Sequence, residues 1–130
     1  MQNIQTLIFD LGGVIINLKT EQQWIDEDLL PNFQPEKFQL LQQQQYFQLF
    51  ETGNVSVPDF IQQLKEIAIN QQISEEEIIH HWNGILKDIP VHRVDLLKKL
   101  AEKYRLVLLS NTNHIHMNFI RKYMLAEFDA

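Results

Sequence analysis

Two short apolar runs, each closed by polar residues, set the terms on which this chain can fold. Leu7-Ile8-Phe9 ends in Asp10 and a Gly12-Gly13 pair, with Val14-Ile15-Ile16 beyond. Arg105-Leu106-Val107-Leu108-Leu109 ends in Ser110-Asn111-Thr112-Asn113. A continuous apolar run bounded by turn residues reads as a strand covered on both faces, the pattern of a parallel sheet. The first run therefore reads as a strand, a sharp turn and another extended piece, and the second as another buried strand.

Between them the signals are helical. Residues 21–30 form a short amphipathic stretch stopped by Pro31. Pro35 suits the first position of a helix running to residue 50, with Phe38, Leu41, Phe47 and Phe50 near helical spacing, and Gly53 ends it. Ser56, ahead of Val57-Pro58-Asp59, opens a helix through residue 69. Ser74 and Glu77 make a capping-box pattern ahead of Ile78, Ile79 and Trp82, and Pro90 breaks that helix. A helix over 92–103 carries Val94, Leu97 and Leu100 on one stripe, and a last one covers 114–123. The glutamines at 42–45 fall inside a periodic helix and read as a solvated face rather than low complexity. Strand, helices, strand and helix in this order predict an α/β fold with a parallel sheet. The long insertion after the first strand predicts a separate helical part. Two strands alone leave open sheet edges, which native proteins avoid; a second copy of the chain could cover them.

Composition narrows the function. The chain has 130 residues, with 11 Lys and Arg against 17 Asp and Glu, for a formal charge of −6. That balance argues against non-specific nucleic-acid binding, which needs a basic face. With no cysteine there is no disulfide framework and no thiolate chemistry, which reads weakly as cytoplasmic. No apolar run approaches the ~18 residues of a membrane span, so no membrane partner is expected. The first residues lack the basic region of a signal peptide.

In an open parallel sheet, ligands bind at the carboxyl ends of the strands. Asp10 stands at one such end and Ser110 at the other. A carboxylate followed by a glycine turn can be a nucleophile, a metal ligand or both, because glycine lets backbone N–H groups approach an anion. A hydroxyl at a helix start adds a donor beside the positive end of the helix dipole. Taken singly, Asp10-Leu11-Gly12-Gly13 reads as a turn and Ser110-Asn111-Thr112-Asn113 as a helix cap. Their common placement at strand ends points instead to a phosphoryl site.

Phe9-Asp10-Leu11-Gly12-Gly13-Val14-Ile15 resembles the first motif of the haloacid dehalogenase-like (HAD) hydrolases, and Leu108-Leu109-Ser110-Asn111-Thr112-Asn113 resembles their second. Phe50-Glu51-Thr52-Gly53-Asn54-Val55-Ser56 and His81-Trp82-Asn83 are similar to cap segments of the subfamily containing alpha-D-glucose-1-phosphate phosphatase. The resemblance implies a Rossmann-like parallel core, incomplete here, over 1–17 and 93–130, with an inserted helical cap over 18–92. It implies a phosphatase acting on a small phosphorylated metabolite such as a sugar phosphate. Asp10 would be the nucleophile, forming an aspartyl-phosphate. Mg²⁺ would be held by Asp10 and the Gly12 carbonyl. Ser110, Asn111, Gly12 and Gly13 would bind phosphate, and the cap would close over the site.

Two departures bear on activity. Most phosphatases of this kind carry a second Asp two positions after the nucleophile, as general acid and base. Here that position is Gly12, as the resembled subfamily also tends to have. The family's third motif, a Lys, and its fourth, an acidic pair, lie well after the second, and neither has a good counterpart before Ala130. Lys122 falls within the expected last helix, and Asp129 is not a pair. The expectation is a chain that is the N-terminal part of a longer protein and is inactive alone.

In the expected cap, Glu51 precedes a glycine turn and could reach a substrate hydroxyl, and Trp24 could stack on a sugar; a core role is simpler for the tryptophan. His80 and His81 face different ways on a helix, and His114 and His116 are not backed by carboxylates, so no histidine metal site is expected; a solvated helix start is the simpler reading for the latter pair. Asn17 reads as a local backbone cap. A dehalogenase using the same aspartate, and a degenerate phosphate-binding or interaction module, are the competing readings.

Overall fold

The computed structural model describes residues 3–109 and 113–125, and it divides into two compact units. The first comprises Met1–Leu18 and Leu86–Asn111, the second Lys19–Ile85 and Thr112–Ala130.

In the first unit, β1 (Thr6–Asp10) and β2 (Arg105–Leu109) pair in parallel, in a register running from Thr6↔Arg105 to Asp10↔Leu109. Parallel neighbours cannot be joined by a hairpin, and α6 (Val91–Ala101) leads into β2 and packs on it. The strands are less buried than their apolar runs imply. Ile8 is 67% exposed and Leu109 is 69% exposed. The register places both on one face, whereas Leu7, Phe9, Leu106 and Leu108 on the other are half-buried. A sheet of two strands, with one helix packed on it, has too little material to cover both faces.

Val14-Ile15-Ile16 is a turn rather than a second extended piece. The N–H groups of Ile15 and Ile16 both donate to the Leu11 carbonyl at 2.9 Å. Gly13 takes φ +78, which an L side chain rarely adopts. The chain then ties to the segment entering α6: Asn17 N donates to Asp88 O and Lys87 N to Asn17 O, each at 2.8 Å. The Asn17 side chain donates to Asp88 Oδ1 at 3.1 Å and accepts from Arg93 Nη1 at 2.9 Å. Asn17 thus joins distant segments instead of capping its own backbone.

The second unit is helical. In it α1 (Glu21–Trp24) passes into a π-helical turn (Ile25–Leu29) before Pro31. Then come α2 (Pro35–Gln43), α3 (Tyr46–Glu51), α4 (Val57–Ile67) and α5 (Glu75–Trp82) with a 3-10 turn (Asn83–Ile85). Last, α7 (His114–Phe119) runs into a second π-helical turn (Ile120–Met124). The single helix expected over 35–50 is two, because the chain breaks within the glutamine run. Gln45 sits at φ 58, and the break turns Phe47 onto Phe38, ring centroids 5.1 Å apart. The helix ending at Trp82 stops on its own 3-10 turn; Pro90 instead caps the start of α6.

Side-chain caps at Thr20, Ser56, Ser74 and Asn113 open α1, α4, α5 and α7. Thr20 and Gln23 form a reciprocal box, each backbone N–H bonded to the other's side chain at 3.1 Å. Ser74 Oγ accepts from Glu77 N at 3.1 Å, while the return bond runs from its hydroxyl to the Glu77 carboxylate at 3.3 Å. The core of this unit is aromatic. Phe50 stacks on Phe60 at 3.8 Å, and Trp82 meets Phe60 at 4.8 Å and Trp24 at 4.7 Å. Each such ring stabilises the fold by roughly 1.5–3 kcal/mol on burial, with about 0.5–1.5 kcal/mol more from ring pairing. Among the described residues, no helix is long and apolar enough to cross a membrane.

Candidate active site

Asp10 closes β1 and pairs in register with Leu109, the last residue of β2, so both strands finish at the same end of the sheet. Its carboxylate is exposed, and Oδ1 accepts from the Leu11 N–H at 2.9 Å. That bond fixes the carboxylate beside the glycine turn. Gly12 is exposed and has room for little: a Cβ there would come within 3.1 Å of Leu18 Cδ1. The Gly13 N–H donates to Ile16 O at 2.8 Å, so this glycine serves the turn first. Ser110 and Asn111 lie outside the described residues.

Within the helical unit, a cavity of about 400 Å³ is lined by side chains from several elements. Glu51 and Trp24, the two expected cap residues, both line it. So does Trp82, part of the cap-like segment His81-Trp82-Asn83, and so do Glu21, Gln42 and Gln48, which no sequence pattern marked as site residues. Partial burial, and next the negative charge of Glu21, push the Glu51 carboxyl above the usual carboxylate range. Trp24 is largely buried and donates its indole N–H to His81 O at 3.1 Å, so its first role is in the core.

His116 is also a core residue rather than part of a solvated helix start. It is 8% exposed, its Nδ1 lies 2.7 Å from Asn83 Oδ1, and its ring stacks on Trp82 at 5.6 Å. Burial pushes it down to about 4, which keeps it neutral at pH 7. Among the described residues, no group of three or more His, Asp or Glu is placed to hold a metal ion. Lys19 is engaged by Asp28 at 2.8 Å and Glu27 at 2.9 Å.

No family model matches the chain. It is 29% identical over 119 residues to a D-ribitol-5-phosphate phosphatase of Bacteroides thetaiotaomicron, a match covering 89% of this chain and 56% of the relative. A HAD family enzyme from the same organism, solved in complex with magnesium and inorganic phosphate, superposes with a TM-score of 0.74 at 39% identity; the match covers 94% of this chain and 60% of that one. A predicted HAD-like family hydrolase from Porphyromonas gingivalis gives 0.61 at 27% identity, covering 89% and 55%. The chain thus spans somewhat over half the length of these relatives. The glucose-1-phosphate phosphatase-like subfamily is not established by these matches. A strand-end aspartate on a glycine turn, a parallel β1–β2 pair and a helical part between them in sequence go with this likeness: over nearly its whole length the chain is similar to enzymes of the haloacid dehalogenase-like superfamily.

Proposed function

We propose that the protein carrying this chain is a Mg²⁺-dependent phosphohydrolase of a small phosphorylated metabolite, with Asp10 as its nucleophile. The observation that carries this reading is the register that ends β1 on Asp10 opposite the last residue of β2. The likeness to a D-ribitol-5-phosphate phosphatase and to an enzyme solved with magnesium and phosphate supports it. A sugar or sugar-alcohol phosphate is the natural substrate class on this reading.

Asp10 would attack phosphorus through one carboxylate oxygen as the bond to the leaving oxygen breaks. The resulting aspartyl-phosphate would then be hydrolysed, splitting one hard displacement into two. The donor set fits Mg²⁺, a hard cation that takes one or two protein oxygens alongside substrate phosphate and water: an exposed carboxylate with one oxygen engaged by Leu11 N, and the backbone carbonyl of Gly12 two residues further along the chain. Such an ion would offset the repulsion between carboxylate and phosphate. Ser110 and Asn111 would hold phosphoryl oxygens, and the helical segment would serve as the cap. We take the setting to be cytoplasmic, and a second copy of the chain to cover an open edge of the β1–β2 sheet.

Isothermal titration tests the site directly. Phosphate is expected to bind this chain only with Mg²⁺ present, and Asp10→Ala is expected to abolish that binding; equal binding by the variant overturns the reading. Turnover by the 130-residue chain alone is expected to be very low, because its sequence holds no good counterpart of the lysine and acidic pair the family uses.

A further inference from the structure

We infer that Arg93 is a positioning residue for the candidate active site, clamping the far end of the glycine turn that follows Asp10. Its consequence for binding rests on the proposed function, since the clamp would serve the turn's fit to Mg²⁺ and phosphate. Asp10, the turn, Asn17, Asp88 and Arg93 all belong to the first unit.

The turn is closed from within by three bonds, from Gly13 N to Ile16 O at 2.8 Å and from Ile15 N and Ile16 N to Leu11 O at 2.9 Å. Its start is set by the β1–β2 pairing, which ends on Asp10. Its end is set from outside. Arg93 Nη1 donates to Asn17 Oδ1 at 2.9 Å and to Ile15 O at 3.3 Å, so one nitrogen ties the turn to the residue just beyond it. Asn17 Nδ2 donates to Asp88 Oδ1 at 3.1 Å, which leaves the carboxamide oxygen to face Arg93.

The placement of Arg93 is not what helix stability alone would select. It stands in the first turn of α6, where a cation meets the positive end of the helix dipole. Among the described residues its half-buried guanidinium pairs with no carboxylate, and both of its acceptors are neutral oxygens on the segment leaving Asp10. That segment needs an outside hold. It contains two glycines, one at φ +78, and glycine loses more freedom on ordering than any other residue. A loose turn would misplace the Asp10 carboxylate and the Gly12 carbonyl together. Groups that orient metal ligands without touching the metal are worth roughly 10- to 100-fold in affinity.

Amide hydrogen exchange by NMR, together with isothermal titration of phosphate in the presence of Mg²⁺, tests this on the 130-residue chain. Arg93→Met removes the guanidinium and keeps its stem. It is expected to speed exchange at Gly13, Ile15 and Ile16 about tenfold, the loss of a hydrogen bond to a charged group, while the amides of β1 and β2 keep wild-type rates. Phosphate binding is expected to weaken roughly 10- to 100-fold. Arg93→Lys keeps the charge and can reach one acceptor, so partial recovery of both readouts is expected. Asn17→Ala opens the same clamp from its other side and should loosen the same amides; combined with Arg93→Met it should add little. A role in stability alone would lower the melting temperature and leave the affinity of the folded chain unchanged, and that result overturns the inference. So does unchanged exchange in the turn, or full recovery of affinity by Arg93→Lys while the turn still exchanges fast, since charge alone would then suffice. Failure of the wild-type chain to bind phosphate overturns the proposed function, and the role in the site with it. Binding by the wild-type chain that the variants leave intact overturns only the assignment of Arg93.

Discussion

At the scale of single residues, position 12 decides how a phosphohydrolase built on this chain would handle its leaving group. Glycine there supplies no proton. General acid–base help is worth about 10²- to 10⁴-fold in rate, so its absence favours leaving groups that depart with little protonation, such as an anomeric oxygen. The Gly12 Cβ site faces the flexible end of Leu18, which can shift by a few tenths of an ångström. Gly12→Asp is therefore expected to fold, and in the active protein to raise kcat for primary-alcohol phosphates far more than for anomeric ones. Equal gains for both in a steady-state assay would refute this. His116 yields a second prediction. Its pKa falls from the ordinary 6.5 to about 4 on folding. The unfolded chain then binds the extra proton first, and stability is lost as pH falls from 6.5 towards 4. The full loss is about 3 kcal/mol. Urea unfolding at several pH values should show this acid slope, and His116→Phe should flatten it. Asp10, Gly12 and Gly13 were legible from sequence because a strand-end position and a glycine turn are local patterns. His116 was not: its burial under Trp82 and beside Asn83 joins segments far apart in the chain.

At the scale of elements, the helix starts were well marked and the helix interiors less so. Ser56 and Ser74 cap their helices where expected, because a cap is a matter between a residue and its neighbours three positions on. Ser74→Ala is expected to cost about 1 kcal/mol in a thermal melt. The break at Gln44 and Gln45 escaped the periodicity because the apolar spacing continues across it. Phe38 and Phe47 gain a ring contact only when the helix turns there. Gln45 holds a left-handed backbone that a side chain disfavours. Gln45→Gly should therefore stabilise the protein by about 0.5–1 kcal/mol in the same melt; a loss would mean the glutamine side chain is needed at that turn.

At the scale of the whole molecule, the two units are built from different materials. The helical unit closes around stacked aromatic rings, and Phe60, with no exposed surface, lies among Phe47, Phe50 and Trp82. Phe60→Ala is expected to cost about 3–5 kcal/mol, read as a lowered denaturant midpoint. The sheet unit has fewer buried side chains among the described residues, notably Leu11, Ile15, Ile16 and Leu97. It leaves Ile4, Ile8 and Leu109 largely exposed. The cavity belongs to this scale as well. Glu21, Gln42, Glu51 and Trp82 come from four separate helices, so only their packing makes them neighbours.

By itself the sequence determined what depends on near neighbours: two strands ending in polar residues, helices that begin at Ser and Pro, and an aspartate poised on a glycine turn. Local geometry and side-chain hydrogen bonding are enough for these. The tertiary structure alone decided which faces are covered, where the long helical pattern breaks, that His116 is neutral in a core, and that two carboxylates and two tryptophans line one cavity. Each of these depends on contacts between distant segments, and burial is a property of the packed chain rather than of any stretch of it.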